Sequence, residues 1–307
     1  MTTAFVLSGG GSLGAVQVGM LQALAERDIH PDLLVGTSAG AVNAAYVAGA
    51  GTGRQAVTEL AAVWSGLRRR DVFPVDPLRH VLAVAGARPS LCTSDALAAL
   101  LAAHLPYRRL EEASVPVHVV ATDLLSGQEV LLSDGDAVSA VLASTAIPGV
   151  FPAVERGGQI LVDGGIADNA AISQAVALGA DRLFVLPAGF ACALDAPPAS
   201  PLATALHALS LLIEQRLILE VAHFADRVEV NVLPPLCPLR VAPVDFSHAA
   251  ELITRARHAT DAWLDAGGPA LSRPERFLSL HHHHRRVPDH LGLQGGSAAG
   301  GSSSSRT

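Results

Sequence analysis

Residues 33–48 read LLVGTSAGAVNAAYVA. A short apolar run at Leu33, Leu34 and Val35 meets Gly36-Thr37-Ser38-Ala39-Gly40, and an alanine-rich segment follows, so the spacing predicts strand, tight turn and helix in succession. The turn has the pattern G-x-S-x-G. Gly36 and Gly40 leave room for a strained bend that lifts the Ser38 hydroxyl out of the end of a sheet, at a helix N-terminus. The helix dipole and unpaired N–H groups at such a point favour negative charge on a bound group. A plain small-residue turn would carry the same letters, but the flanking strand and helix supply the context that the chemical reading requires.

Upstream, residues 4–7 are apolar, Ser8-Gly9-Gly10-Gly11-Ser12-Leu13-Gly14 follows, and residues 15–25 carry apolar side chains at helical spacing. This is a second strand, glycine loop and helix. Gly9-x-Gly11-x-x-Gly14 fits a dinucleotide loop as well as an oxyanion-binding turn, with a close-packing turn as the third reading. A dinucleotide site also wants an acidic residue at the end of the next strand, to hold the ribose. That strand ends in Gly36-Thr37-Ser38, which favours the oxyanion reading.

Downstream, residues 55–66, 78–86 and 94–104 read as helices. Residues 54–106 carry no catalytic constellation and read as a helical layer, with a cap over a site as the alternative. Strands are expected at 115–121, 129–132, 159–162, 182–186 and 228–232, and helices at 136–143, from about 170, at 203–223 and at 249–266. The proline-punctuated stretch at 144–152 is expected as loop. The strand at 159–162 delivers Asp163-Gly164-Gly165. Strand ends on one edge of a parallel sheet converge, so Asp163 is expected to reach Ser38. Leu206, Leu209, Ile213, Leu217 and Val221 recur on one face of the long helix, and that stripe is expected to face the core.

The chain has 307 residues, of which 50% are hydrophobic and 4% aromatic, and strands alternate with helices throughout. That pattern predicts an α/β fold, a three-layer sandwich with a mostly parallel central sheet. A net charge of −7 without a basic stripe excludes nucleic acid as a partner. Cys92, Cys192 and Cys237 lie far apart and show no metal-binding or disulfide spacing, which suits a reducing compartment. The first residues read as a strand rather than a leader, so a cytoplasmic location is expected. Glu214, Gln215 and Arg216 interrupt the most apolar helix, so no membrane span is expected, while peripheral contact with a membrane stays open. Residues 1–280 read as one catalytic domain and 281–307 as a polar tail, with the four histidines at 281–284 solvated rather than metal-binding and 292–307 disordered by composition.

These motifs together resemble the bacterial patatin-like phospholipases. The resemblance rests on Gly9-Gly10-Gly11-x-x-Gly14, Gly36-Thr37-Ser38-Ala39-Gly40, Ala121-Thr122-Asp123, the loop at 144–152, and Asp163-Gly164-Gly165 with Asn169, in that order. It covers about the first 190 residues and implies a serine lipid acyl hydrolase working through a Ser-Asp dyad. Ser38 would be the nucleophile and Asp163 its base. Gly9, Gly10 and Gly11 would bind the oxyanion, while Gly36, Gly40, Gly164, Gly165 and Asn169 support the motifs. No metal or organic cofactor is implied, and the partner is a lipid or other acyl ester. A carboxylate serves as base for a serine only if desolvation raises its pKa, so an apolar, shielded site is expected.

Two positions depart from the family pattern: Leu13 stands where the family often carries Arg or Lys, and Ala171 where it usually carries Pro. Two other readings stand beside the dyad. One is a Ser-His-Asp esterase using His248 or His258, and the other is a catalytically idle lipid- or acyl-binding module of the same fold.

Overall fold

Alternate residues of the central strands sort into two separate cores, as expected for a sheet buried on both faces. The computed structural model describes residues 1–74, 76–189, 192, 194, 196–198 and 201–270. Its strands are β1 (Thr3–Leu7), β2 (Leu33–Thr37), β3 (Val117–Asp123), β4 (Glu129–Leu132), β5 (Val154–Arg156), β6 (Gln159–Asp163), β7 (Arg182–Leu186) and β8 (Glu229–Val232). The α-helices are α1 (Gly14–Glu26), α2 (Ala39–Ala50), α3 (Arg54–Gly66), α4 (Arg69–Val72), α5 (Pro77–Val84), α6 (Asp95–His104), α7 (Ala137–Ser144), α8 (Ile172–Ala177), α9 (Pro201–Phe224) and α10 (Ala249–Asp265).

Phe5, Leu7, Leu34, Phe184 and Leu186 pack with α1, α2 and α10 on one face. Ala4, Val6, Leu33, Val35, Leu183 and Val185 pack with α8 and α9 on the other. The result is a three-layer α/β sandwich. Hydrogen bonding links the strands in the order β5-β6-β3-β2-β1-β7-β8, with β4 added against β3. The pairs β1–β2, β1–β7, β2–β3 and β7–β8 are parallel, so the sheet is mostly parallel. The β3–β4, β3–β6 and β5–β6 pairs are antiparallel.

Most expected elements form within a few residues of their predicted ends. Asp136 caps α7 by accepting from the Ser139 N–H. Ser94 precedes α6 without a side-chain cap. The short elements β5 and α4 are additions to the sequence reading. The stripe on α9 divides: Leu217 and Val221 are buried in the core, whereas Leu209 and Ile213 are half-buried and line a cavity. The Leu206 side chain and the tail at 281–307 lie outside the described residues. Among the described residues no helix is long and apolar enough to cross a membrane.

Candidate active site

Asp163 reaches Ser38 by a route other than the shared parallel edge. Val119 and Val120 pair with β4 while Val120 also pairs with Thr37 of β2, and Ala121 pairs with both Val130 of β4 and Asp163 of β6. β4 therefore occupies one edge of β3, and β2 and β6 share the other, meeting head-on. β2 ends at Thr37 opposite Val120, and β6, running antiparallel, ends at Asp163 opposite Ala121. Register along β3 thus brings the two strand ends together.

At that junction Ser38 has φ 53° and ψ −121°, a left-handed conformation costly for a residue with a side chain. A side chain at Gly40 would run into the Leu7 carbonyl, so only glycine lets α2 start so close to β1. The Ser38 Oγ donates to Asp163 Oδ2 at 2.7 Å. Asp163 Oδ1 accepts the Gly165 N–H at 2.9 Å, and Thr122 Oγ1 donates to the Asp163 carbonyl at 2.9 Å. Burial pushes the Asp163 carboxyl up to about 6, against the opposing pull of its bonds from Ser38 and Gly165. This is the desolvated carboxylate that the chemistry requires, already hydrogen-bonded to a hydroxyl it can deprotonate.

The glycine loop lies beside Ser38: a Cβ on Gly9 would come within 2.9 Å of Ser38 Cβ and 2.6 Å of Asn169 Oδ1. The Gly9 N–H is not free, because it donates to Asn169 Oδ1 at 2.9 Å. Of the three glycines expected to bind an oxyanion, Gly9 instead anchors the loop. Among the described residues, the Gly10 and Gly11 N–H groups have no protein acceptor. The loop is held from below. Gln17 Nε2 donates to the carbonyls of Ser8 and Leu186 at 2.7 and 2.9 Å, Asn43 Nδ2 donates to Gln17 Oε1 at 2.9 Å, and Trp64 Nε1 donates to Asn43 Oδ1 at 2.8 Å. From the side, Ser12 donates its N–H to the Pro243 carbonyl at 2.7 Å.

The Ser38 N–H is likewise occupied, by Ser144 Oγ at 2.8 Å. Sequence reasoning assigned Ser144 only to a loop, although it ends α7 and is fully buried. Because it grips the strained residue itself, Ser144→Ala is expected to strand a buried amide and cost about 1–3 kcal/mol of stability. Urea unfolding checks this, and ester turnover in the variant should fall with it as the elbow loosens. Unchanged stability and turnover would deny Ser144 that role.

The two departures from the family pattern have local explanations. Leu13 is fully buried in the first core, so that position does not present a side chain to the loop's ligand side. Ala171 has φ +27° and donates its N–H to Asp168 Oδ1 at 2.8 Å, neither of which a proline permits.

Ser38 and Asp163 open into a cavity of about 520 Å³. Its wall draws Phe73, Leu91 and Cys92 from the segment at 54–106, Ile147 and Val150 from the loop after α7, and Ile213 and Glu214 from α9. Residues 54–106 therefore supply part of the site's wall as well as a helical layer. The last third of the chain, which carries no motif, supplies α9 and the loop at 242–244. Glu214 is buried, and burial pushes its carboxyl up to about 7. His80 and His207 line the cavity, whereas His248, half-buried beside the start of α10, and His258, exposed on α10, do not. His248 instead meets Glu251 at 3.3 Å. Among the described residues no cluster of His, Cys, Asp and Glu is arranged to hold a metal.

Residues 5–176 match the family described as patatin-like phospholipase. An uncharacterized NTE family protein of Mycobacterium tuberculosis is 31% identical over 203 residues, 66% of this chain and 53% of its own. Patatin-like phospholipase domain-containing protein 7 of Rattus norvegicus is 28% identical over 188 residues, 61% of this chain and 13% of its own. VipD from Legionella pneumophila, a solved structure, is 17% identical over 86% of this chain and 67% of its own, with a TM-score of 0.45. The chain spans about half the length of that mycobacterial relative and about a quarter of another, a second uncharacterized NTE family protein of the same species. With more than half of its residues matched, the chain belongs to the patatin-like phospholipase family.

Proposed function

We propose that this chain is a serine lipid acyl hydrolase that cleaves carboxyl esters through a Ser38–Asp163 dyad. The observation that carries the reading is the 2.7 Å hydrogen bond from Ser38 Oγ to the buried Asp163 carboxylate at the wall of an apolar cavity. Ser38 Oγ attacks the ester carbonyl as its proton passes to Asp163 Oδ2, and the N–H groups of Gly10 and Gly11 hold the oxyanion. Collapse of the tetrahedral intermediate expels the alcohol, which takes the proton back from Asp163 and leaves an acyl group on Ser38. Water then attacks the acyl-enzyme with Asp163 again accepting a proton, and collapse releases the fatty acid as Asp163 returns that proton to Ser38 Oγ. No histidine is needed, because the base contacts the nucleophile directly. Burial of Leu13 in the core means that a cation there would not reach the oxyanion side of the loop without rearrangement, which supports the hydrolase over an idle binding module.

Purified protein should hydrolyse p-nitrophenyl esters of graded chain length, with the longer acyl chains favoured by a cavity of about 520 Å³ lined by Phe73, Leu91, Ile147 and Val150. The base must be ionised, so kcat/KM should rise with pH through a midpoint near 6, the level to which burial lifts Asp163. Glu214→Gln should leave that acidic limb in place. An acidic limb that vanishes with Glu214 would move the base from Asp163 to Glu214, and inactivity on every ester would return the chain to the binding-module reading.

A further inference from the structure

The helix α5 is PLRHVLAV, and none of its residues is buried. Leu78, Val81 and Val84 are 69%, 66% and 84% exposed, and their spacing sets them along one face. An eight-residue helix is far too short to persist in water on its own propensity, and one that leaves three large apolar side chains in solvent calls for another surface. Its start is firmly fixed: Pro77 occupies the first turn, and Asp76 Oδ1 accepts from the N–H groups of Leu78 and Arg79 at 3.0 and 3.1 Å. Its inner side is also spoken for, since Arg79 donates to Ser90 Oγ at 2.8 Å and His80 lines the catalytic cavity. The outward stripe alone is left without a partner among the described residues.

Two observations identify the occupant. Residues 66–90 hold five of the chain's 21 cationic residues against two aspartates, in a protein of net charge −7. Arg68, Arg69, Arg70 and Arg88 are exposed, while Asp76 is spent on capping α5. An apolar helical stripe flanked in sequence by exposed arginines suits a surface that is apolar within and anionic at its face. The same segment borders the catalytic cavity, with Arg69, Phe73 and His80 on its wall.

We propose that α5, with the arginines at 68–70 beside it, is a docking surface for anionic lipid bilayers and seats the mouth of the cavity on the membrane. The purpose of such docking rests on the lipid-hydrolase reading, whereas the binding itself does not. Leu78, Val81 and Val84 enter the acyl boundary, and the arginines meet the headgroup phosphates. A substrate chain then passes from bilayer to cavity without crossing water.

Flotation in a Ser38→Ala background tests this without turnover. The protein is expected to float with vesicles of phosphatidylglycerol and phosphatidylethanolamine and not with phosphatidylcholine alone. Leu78→Ser, Val81→Ser and Val84→Ser combined should lower the bound fraction about tenfold or more. With Ser38 restored, the triple variant should hydrolyse a short soluble ester at the unmodified rate. Val84→Trp, a single change at an open site, should show a blue-shifted emission when the anionic vesicles are added. Equal flotation of the triple variant, flotation that ignores anionic lipid, or an unshifted Trp emission would each overturn the proposal. So would loss of a dimer in the triple variant without any vesicle binding, which would assign the face to a second copy of the chain. If no ester is hydrolysed yet flotation follows the stripe, the hydrolase reading fails and the docking surface stands.

Discussion

Ser38→Ala is expected to lower ester turnover by roughly 10⁴-fold or more, because in the proposed mechanism it removes the atom that forms the acyl bond rather than one that assists it. The fold should survive. Alanine keeps the Cβ and the backbone N–H that Ser144 holds, and it accepts the strained turn at a cost similar to serine's. One secondary effect follows from the geometry. Without the Ser38 hydroxyl, Asp163 loses a bond that favours its charged form, so its carboxyl should move above the value near 6 found with serine in place. Ester kinetics beside circular dichroism check both parts; a folded Ser38→Ala protein that keeps a tenth of the activity would mean that another residue carries the acyl group.

Asp163→Asn is expected to lose activity by about 10³- to 10⁴-fold and yet gain stability, a pairing that a merely structural aspartate would not produce. Its folded-state pKa of about 6 lies above the ordinary 3.8, so the folded protein holds this proton more tightly than the unfolded chain does. The sign is therefore opposite to that of a salt-bridged carboxylate. Below about pH 4 both states are protonated and burial of the charge costs nothing; as pH rises through 6 the cost grows to roughly 3 kcal/mol. Asparagine removes that cost. Its amide oxygen can accept from Gly165 N–H and its NH₂ can donate to Ser38 Oγ, so the hydrogen-bond pattern persists without a base. Urea unfolding should find the variant more stable than the parent at pH 8, with the gap closing towards pH 4. A variant less stable at pH 8 would show that the amide is not accommodated and that Asp163 is not held against its charge.

The parts of the fold that were legible in the sequence are those in which one local pattern decides the outcome. The run at 33–48 contains its own strand, its glycine clearance and its helix, and β1 with its glycine loop repeats that logic. The stripe on α9 could be read from periodicity, and Leu217 and Val221 do face inward. Direction and register were not legible. The apolar run before Asp163 announces a strand but not that it runs against β3, and the head-on meeting of β2 and β6 depends on two long-range pairings, Thr37 with Val120 and Ala121 with Asp163. Ser144, Gln17 and Asn43 were missed for a related reason. Each is an ordinary small or polar residue on a helix, and its role appears only when the fold supplies a buried partner. Gly9 could be placed at the loop from its spacing, but the capture of its N–H by Asn169, 160 residues away, could not. The helices of 54–106 other than α4 were legible as helices, whereas the segment's place on the cavity wall comes from tertiary packing alone.

The most direct test of the dyad is the rate of covalent inactivation by an alkyl fluorophosphonate as a function of pH, followed by peptide mapping. A single adduct on Ser38 is expected, forming with a rate that rises through a midpoint near pH 6, absent in Ser38→Ala and strongly slowed in Asp163→Asn. An adduct on another residue, or full-speed labelling of Ser38 in the Asp163→Asn protein, would contradict it.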